Sequence, residues 1–277
     1  LQIKGPQNPA KVERELLAVV QGRESKLQIP VHIKDWWLGG ELGMIQLVTT
    51  WARGTDTPTL VTHILADDMD SQLRSLSRRM FGFVSIMLAS DIVAKDAPKS
   101  LRLEANEECR QVVESMWRPV RDFALGEKVF LLCVDHSTKW AIPWLYSQSE
   151  SGQIRVRDRV DFVTLARELI QRSSRATSEV PIPPRLLPRF GAILHELFKN
   201  THEWGRTDQD GTPWRRSVRG IAVERHSWKL SDLAKITTDN PALRSFVTAH
   251  QSRTGGDTLK FYEFTIFDSG VGLARSW

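Results

Sequence analysis

Apolar residues recur along the chain at two spacings, and stretches with one spacing alternate with stretches of the other. Leu73, Leu76 and Met80 begin a series at helical spacing that predicts one long helix over about 70–90. Residues 59–65 are rich in threonine and β-branched residues and predict a strand. Strands that alternate with helices are typical of α/β proteins, so we expect an α/β fold.

The same patterns predict further elements before and after these two. We expect helices over 12–21, 40–51, 104–118 and 165–172, and strands over 31–34, 128–134, 140–145 and 154–160. A stretch with four prolines, residues 173–188, then interrupts the periodicity and predicts a connector. We therefore expect a lead-in over 1–28, an α/β sensor or partner domain over 29–175, and a second domain over 176–277. The order of elements in the first domain resembles small doubly wound regulatory domains of the STAS type, with no motif behind the resemblance.

The helix predicted after the prolines carries a polar face beside an expected core-facing band of Ile193, Leu194, Leu197 and Phe198. Glu196, Asn200 and Glu203 follow the spacing i, i+4, i+7 and therefore project from one face of the helix. An amide oxygen is a suitable ligand for Mg²⁺. A carboxylate one turn away can orient or deprotonate a water for attack on phosphorus. Many surface helices carry a similar polar face, so this pattern alone leaves a structural role open.

The last predicted strand, over 258–267, leads directly into Asp268-Ser269-Gly270-Val271-Gly272. A carboxylate at the end of a strand can accept a hydrogen bond from an exocyclic amine such as that of adenine. The glycines allow the backbone to turn and to approach a ligand without a clash from Cβ. A plain strand followed by a glycine turn is the alternative.

Together and in this order, residues 196–203 and 268–272 resemble the N box, ExxxNxx(D/E), and the G1 box, DxGxG, of the GHKL superfamily. That superfamily contains gyrase, the heat-shock-ninety chaperones, histidine kinases and the MutL-type mismatch-repair proteins. The resemblance covers about 185–277 and says nothing about 1–180. It implies that 176–277 is the N-terminal portion of a Bergerat-type α/β sandwich.

The resemblance also implies roles for individual residues. Glu196 would be the general base, Asn200 the Mg²⁺ ligand and Asp268 the adenine contact, while Gly270 and Gly272 would shape the floor of the pocket. ATP and Mg²⁺ would be the cofactors. The expected function is Mg²⁺-dependent ATP binding and hydrolysis, coupled to a protein partner or to a homodimer.

Two features depart from the family pattern. Glu196 and Asp268 lie 72 positions apart, which is a wider gap than usual. Within this gap, we expect Arg215, Arg216 and Arg219 to form a solvated basic loop, with helices over 231–234 and 242–250. The family's glycine-rich ATP lid and last strands would follow Trp277, so we expect the 277-residue chain alone to bind ATP weakly and to turn over little of it.

Composition narrows the class of protein. No apolar run approaches the length of a membrane span, and Cys109 and Cys133 show no metal-binding spacing, so we expect reduced thiols and a cytoplasmic location. The net charge of +5 permits nucleic-acid contact but does not support it. Helix histidines such as His195 and His202 are expected to be solvated, and the carboxylates over 67–70 to cap a helix.

Two alternatives stay open. A protein kinase of the same fold, acting on serine or histidine, would use the carboxylate to activate a different acceptor. The prolines directly before the N box disfavour the helix that carries the phosphorylated histidine in histidine kinases. The second alternative is a catalytically inert interaction module, which the presence of Glu196 disfavours.

Overall fold

The computed structural model describes residues 1–3, 9–22, 24–31, 33, 38–64, 66–95, 97–119, 128–173, 182–236, 241–254 and 258–270, and the expected α/β class is confirmed there. The helices are α1 (Pro9–Gly22), α2 (Gly40–Arg53), α3 (Met69–Ser77), α4 (Met80–Leu88), α5 (Arg102–Ser115), α6 (Arg159–Ser173), α7 (Leu187–Trp204), α8 (Leu230–Ile236) and α9 (Pro241–Thr254). The strands are β1 (Lys26–Ile29), β2 (Thr59–Thr62), β3 (Asp91–Ala94), β4 (Ala97–Ser100), β5 (Lys128–Val134), β6 (Tyr146–Gln148), β7 (Ile154–Val156), β8 (Val218–Lys229) and β9 (Thr258–Phe267).

The first sheet has the order β1-β2-β3-β4, in which β1, β2 and β3 are parallel and β4 is antiparallel to β3. Helices α2, α3, α4 and α5 pack against one another beside it. All nine residues of α4 are buried, because this helix is apolar on every side and therefore occupies the interior of the layer.

The second sheet is antiparallel with the order β5-β8-β9, and β6 and β7 form a separate hairpin. Alternate residues of β8 face opposite sides of this sheet. On one side, Arg219 reaches the ring of Phe198 in α7. Beside it, Phe190 of α7 packs edge-on against Phe264 of β9, with 4.4 Å between ring centroids.

The opposite side of the second sheet contacts α2 through charged groups. Lys128 of β5 forms ion pairs with Glu41 of α2 and with Glu224 of β8. The backbone N–H of Gly39, which precedes α2, donates to Glu263 of β9 at 3.1 Å. The second sheet therefore lies between α7 and the N-terminal helices, and the two sheets share one continuous core.

The expected boundary near residue 175 does not separate the two sheets. Strand β5 and helix α6 precede that position, yet β5 pairs with β8 along its whole length and α6 packs against α7. The unit that carries the candidate site therefore begins at or before Lys128. Half of the proline-rich connector, residues 174–181, lies outside the described residues.

The helix predicted over 70–90 is wrong as a single element, because the chain breaks at Arg78 and Arg79 into α3 and α4. Arg79 adopts an extended conformation (φ −103°, ψ 136°). Helix α3 has a polar, exposed face, whereas α4 is buried throughout, and one straight helix would not satisfy both environments.

Four other local predictions also need correction. Of the strand expected over 31–34, residues 31 and 33 are not in a strand, and residues 32 and 34 lie outside the described residues. The nearest strand is β1, which ends at Ile29. Residues 140–145 form turns instead of a strand, with Ile142 and Leu145 buried in the core. The strand expected over 154–160 shortens to β7, which pairs with β6 rather than with β5. Asp68 occupies the N-cap position of α3 without a side-chain capping hydrogen bond. The predicted strands over 128–134 and 258–267 are confirmed.

None of the described helices combines the length and apolar character that a membrane span requires.

Candidate functional site

Helix α7 presents different residues to the core and to solvent. Leu194 and Phe198 are buried against the second sheet and α6. Ile193 and Leu197, which were expected in the same core band, are 55% and 45% exposed, so the apolar face is narrower than predicted. Glu196, Asn200 and Glu203 lie on the outward side of the helix.

Glu196 forms an ion pair on this outward side. Its Oε1 accepts hydrogen bonds from Arg159 Nη2 at 2.6 Å and Arg159 Nε at 3.0 Å, and lies 3.2 Å from Nδ1 of His195. Arg159 at the start of α6, and secondarily His195, hold the pKa of the Glu196 carboxyl below its usual range. Glu196 is therefore ionised at neutral pH, and its Oε1 is engaged by the guanidinium.

Asn200 is exposed and, among the described residues, its side chain has no hydrogen-bond partner. Its amide oxygen is therefore available to a ligand. The described residues contain no group of three or more His, Cys, Asp or Glu side chains that could hold a metal ion. A magnesium ion at Asn200 would thus need most of its oxygen ligands from a bound phosphate and from water, which is the usual habit of Mg²⁺.

The turn after β9 touches the C-terminal end of α7. A Cβ on Gly205, which caps this helix, would lie 2.5 Å from Cβ of Asp268. A Cβ on Gly270 would lie 2.8 Å from Cα of Gly205. Such distances leave no room for a side chain at either position, so the two glycines allow helix and turn to meet. Gly272 lies outside the described residues.

Asp268 has one committed oxygen and one free oxygen. The backbone N–H of Gly270 donates to Oδ1 at 2.9 Å, whereas no described residue hydrogen-bonds Oδ2. Burial raises the pKa of the Asp268 carboxyl above its usual range. A half-buried carboxylate with an unpaired oxygen is suited to accept a hydrogen bond from an amine of a ligand.

Arg53, at the end of α2, anchors this turn. Its Nη2 and Nε donate to the carbonyl oxygen of Ser269 at 2.8 and 3.0 Å, and its guanidinium lies over the ring of Trp214. The hydroxyl of Ser269 accepts a hydrogen bond from the backbone N–H of Val218 in β8 at 2.9 Å. Sequence reasoning missed Arg53, because it lies 216 positions before its partner and no local pattern marks it.

A buried ion pair lies beneath the end of α7. Arg219 is fully buried and donates to Asp135 through Nη2 at 2.8 Å and Nε at 3.1 Å, while Ser217 Oγ donates to the same carboxylate at 2.8 Å. The expectation of a solvated loop over Arg215, Arg216 and Arg219 is therefore wrong for Arg219. It is also wrong for Arg216, whose guanidinium donates to the Ala89 carbonyl at the end of α4. Arg215 is exposed as expected.

His202 belongs to the same buried cluster, so its expected solvation is also wrong. Its Nδ1 lies 3.2 Å from the hydroxyl of Tyr146, and its ring stacks on Trp140. Burial, followed by the nearby Arg219 and Arg206, lowers the pKa of His202 to about 4. His202 is neutral at physiological pH and acts as a packing residue under the helix.

The structure thus brings helix α7 and the turn after β9 together at one end of the helix. Asn200 precedes Gly205 by five residues, which is about 7 Å along the helix axis. Glu196 precedes Gly205 by about 13 Å along the same axis. Asp268 lies against the end of α7, while Glu196 and Asn200 project from its outward side. Comparison of the chain with models of known protein families, with curated proteins and with solved structures gave no match.

Proposed function

We propose that the protein binds ATP along the C-terminal half of α7 and hydrolyses it with Mg²⁺, in a cycle coupled to a protein partner or to a homodimer. The contact between Gly205 and Asp268 is the observation that supports this proposal. It places the candidate adenine contact at the end of the helix that carries the candidate phosphate residues. A cytoplasmic location is part of the same proposal.

The free Oδ2 of Asp268 supports recognition of adenine. This oxygen would accept a hydrogen bond from the exocyclic amine of adenine, whereas the carbonyl of guanine would meet it as a second acceptor. Gly205 and Gly270 pack closely enough to hold the turn, and with it Asp268, against the end of α7. Arg53 holds the turn in place through Ser269 and keeps this acceptor at a constant position.

The phosphates would extend from the adenine along α7 toward Asn200 and Glu196. Asn200 would hold Mg²⁺ through its free amide oxygen, and the bound ion would neutralise charge on the phosphates. Glu196 would accept a proton from the attacking water. Because Arg159 pairs with Oε1 and lowers the pKa of Glu196, the carboxylate would be a stronger base after Arg159 moves away.

This ion pair also favours a second candidate function, a nucleotide-binding interaction module without turnover. A carboxylate whose pKa is held low by Arg159 is a weak base, and a protein that keeps the pair closed would bind nucleotide but not cleave it. A protein kinase of the same fold would instead transfer the terminal phosphate to a side chain.

One experiment separates these functions. Purified protein is incubated with Mg²⁺ and terminally labelled ATP or GTP, and bound nucleotide, free phosphate and labelled protein are measured for the wild type, Asp268→Asn, Glu196→Gln and Glu168→Gln. Glu168 is a carboxylate on α6 that pairs with Arg172 away from the turn, and it serves as the control. We expect ATP binding in preference to GTP, with release of free phosphate.

We expect Asp268→Asn to weaken ATP binding about tenfold, because one hydrogen bond to a charged group is lost. Glu196→Gln should keep binding and lose at least about 100-fold in phosphate release. Glu168→Gln should match the wild type. Labelled protein would identify a kinase, binding without turnover would identify the interaction module, and equal affinities for ATP and GTP would refute the role of Asp268.

A further inference from the structure

Three arginines meet at the junction of α3 and α4, far along the chain from the residues of the candidate nucleotide site. Arg74, Arg78 and Arg79, together with Ser71 and Ser75, line an open depression of about 390 Å³. We call these five residues the arginine corner. The arrangement follows from the break in the predicted 70–90 helix, because the chain must turn where the exposed α3 gives way to the buried α4.

The turn places the arginines in unlike surroundings. Ser71, Arg74 and Arg78 follow helical spacing along the exposed face of α3. Arg79 is the residue before α4, whose nine residues are all buried, and its side chain is therefore only partly exposed. Burial lowers the pKa of the Arg79 guanidinium, which shows that its charge has lost part of its hydration.

Among the described carboxylates, only Glu108 pairs with one of these three arginines. Within the described ranges, neither Arg78 nor Arg79 makes a side-chain hydrogen bond or an ion pair. Arg74 has one contact, in which its Nε lies 3.4 Å from Glu108 Oε2. By contrast, Arg110 on the neighbouring α5 is held by two carboxylates, Glu107 and Glu114, at 2.5 and 2.6 Å. The arginine corner is therefore a depression with uncompensated positive charge.

We propose that the arginine corner binds a terminal phosphate group, as inorganic phosphate or as a phosphate monoester. Guanidinium groups present paired N–H donors that match phosphate oxygens, and three arginines line one depression of small-ligand size. The hydroxyls of Ser71 and Ser75 supply further donors at the rim. A compact dianion uses all of these donors at once, whereas the evenly spaced single charges of a nucleic-acid backbone do not.

The test is calorimetric titration with three probes at low ionic strength: inorganic phosphate, phosphoserine, and a short oligonucleotide without terminal phosphates. We expect inorganic phosphate and phosphoserine to bind with similar affinity, and the oligonucleotide to bind more weakly. Agreement of the first two probes would identify the phosphate group itself as the ligand. Tighter binding of phosphoserine would indicate a peptide as the source, and tighter binding of inorganic phosphate a free ion.

Variants locate the site. Arg79→Gln and Arg78→Gln should each weaken phosphate binding about tenfold, because each removes a charge-assisted donor. Arg110→Gln removes the same charge from the next helix and should leave the affinity unchanged. Arg78 is exposed, so its variant tests the site even if Arg79→Gln perturbs folding. Three results would overturn the proposal. They are an equal loss of phosphate affinity in all three variants, tighter binding of the oligonucleotide than of phosphate, and no phosphate binding by the wild type.

Discussion

The inner and outer sides of helix α7 each carry a carboxylate–guanidinium pair, and the two pairs differ in their surroundings more than in their geometry. Arg219 and Asp135 beneath the helix lie 2.8 Å apart with side-chain exposures of 0% and 8%. Arg159 and Glu196 on the outer side lie 2.6 Å apart with exposures of 66% and 46%. The shorter pair is the weaker contributor to stability, because water competes for both of its partners and salt screens it.

This difference in burial suggests a structural role for the inner pair and leaves the outer pair available for the proposed chemistry. Water competes little for the inner pair because both partners are buried, although Arg206 also lies 3.3 Å from Asp135. Asp135 follows β5 and Arg219 belongs to β8, so the pair holds these two strands together. The outer pair can open at little cost in free energy, which would make Glu196 the stronger base that the proposed hydrolysis needs. The buried pair would give the proposed site the rigid support that functional groups need.

The largest expected effect comes from breaking the inner pair. Asp135→Asn keeps the shape of the side chain but leaves Arg219 charged and buried without its partner. We expect the free energy of unfolding to fall by about 3–5 kcal/mol, which urea denaturation would measure. The double variant Asp135→Leu with Arg219→Met removes both charges and should recover part of this loss.

Asp161→Asn is the matched control, because Asp161 forms an exposed pair with Arg157 at 3.3 Å. Its unfolding curve should superimpose on that of the wild type. A small loss in Asp135→Asn, comparable with that of Asp161→Asn, would show that the inner pair does not support the fold.

A smaller effect is expected at Asp268. Burial raises the pKa of its carboxyl in the folded protein, so the folded state binds this proton more tightly than the unfolded state does. The free energy of unfolding of the wild type should therefore fall as the pH rises from the pKa of Asp268 in the unfolded chain to its higher pKa in the folded protein. This loss should persist at neutral pH. Asp268→Asn lacks this titration and should melt at a higher temperature than the wild type at pH 7, by about 2–4 °C for each kcal/mol regained.

The two melting curves should converge below pH 3, where both side chains are neutral. Thermal melts across pH 3–8 without nucleotide would measure the difference. A lower melting temperature for Asp268→Asn at pH 7 would mean that the ionised carboxylate stabilises the turn, contrary to this account.

The smallest effect on stability is expected on the outer side. Arg159→Gln removes the partner of Glu196 and should leave the urea midpoint unchanged, because both residues are largely in water. The pKa of Glu196 should rise toward its usual value, since Arg159 is the main cause of its low pKa. A stronger and more accessible base should raise the rate of ATP turnover.

Arg157→Gln, two residues away on the same segment, serves as the comparison for that rate. A loss of turnover in Arg159→Gln alone would place Arg159 among the groups that hold the phosphates. A large loss of stability in Arg159→Gln would show that the outer ion pair supports the fold as the inner pair does.

Local pattern was enough to predict the elements that carry the candidate site. An apolar run over 128–134 predicted β5, and alternation over 258–267 predicted β9. Helical spacing predicted α7 and the shared direction of Glu196 and Asn200. These predictions succeeded because each depends on residues that are neighbours in the chain. The single helix predicted over 70–90 was wrong because local spacing does not show burial. The apolar spacing continues through both helices, but α3 has an exposed face and α4 is buried throughout.

The partners of these residues depend on tertiary structure alone. The local sequence around Arg216 and Arg219 predicted a basic loop. Pairing of β8 with β5 instead buries Arg219 against Asp135, which lies 84 positions earlier in the chain. Arg53 reaches Ser269 from α2, and Gly205 meets Asp268 only because α7 lies against the second sheet. Charge, pKa and accessibility are set by what folding brings within a few ångströms, and no local repeat in the chain encodes those distances.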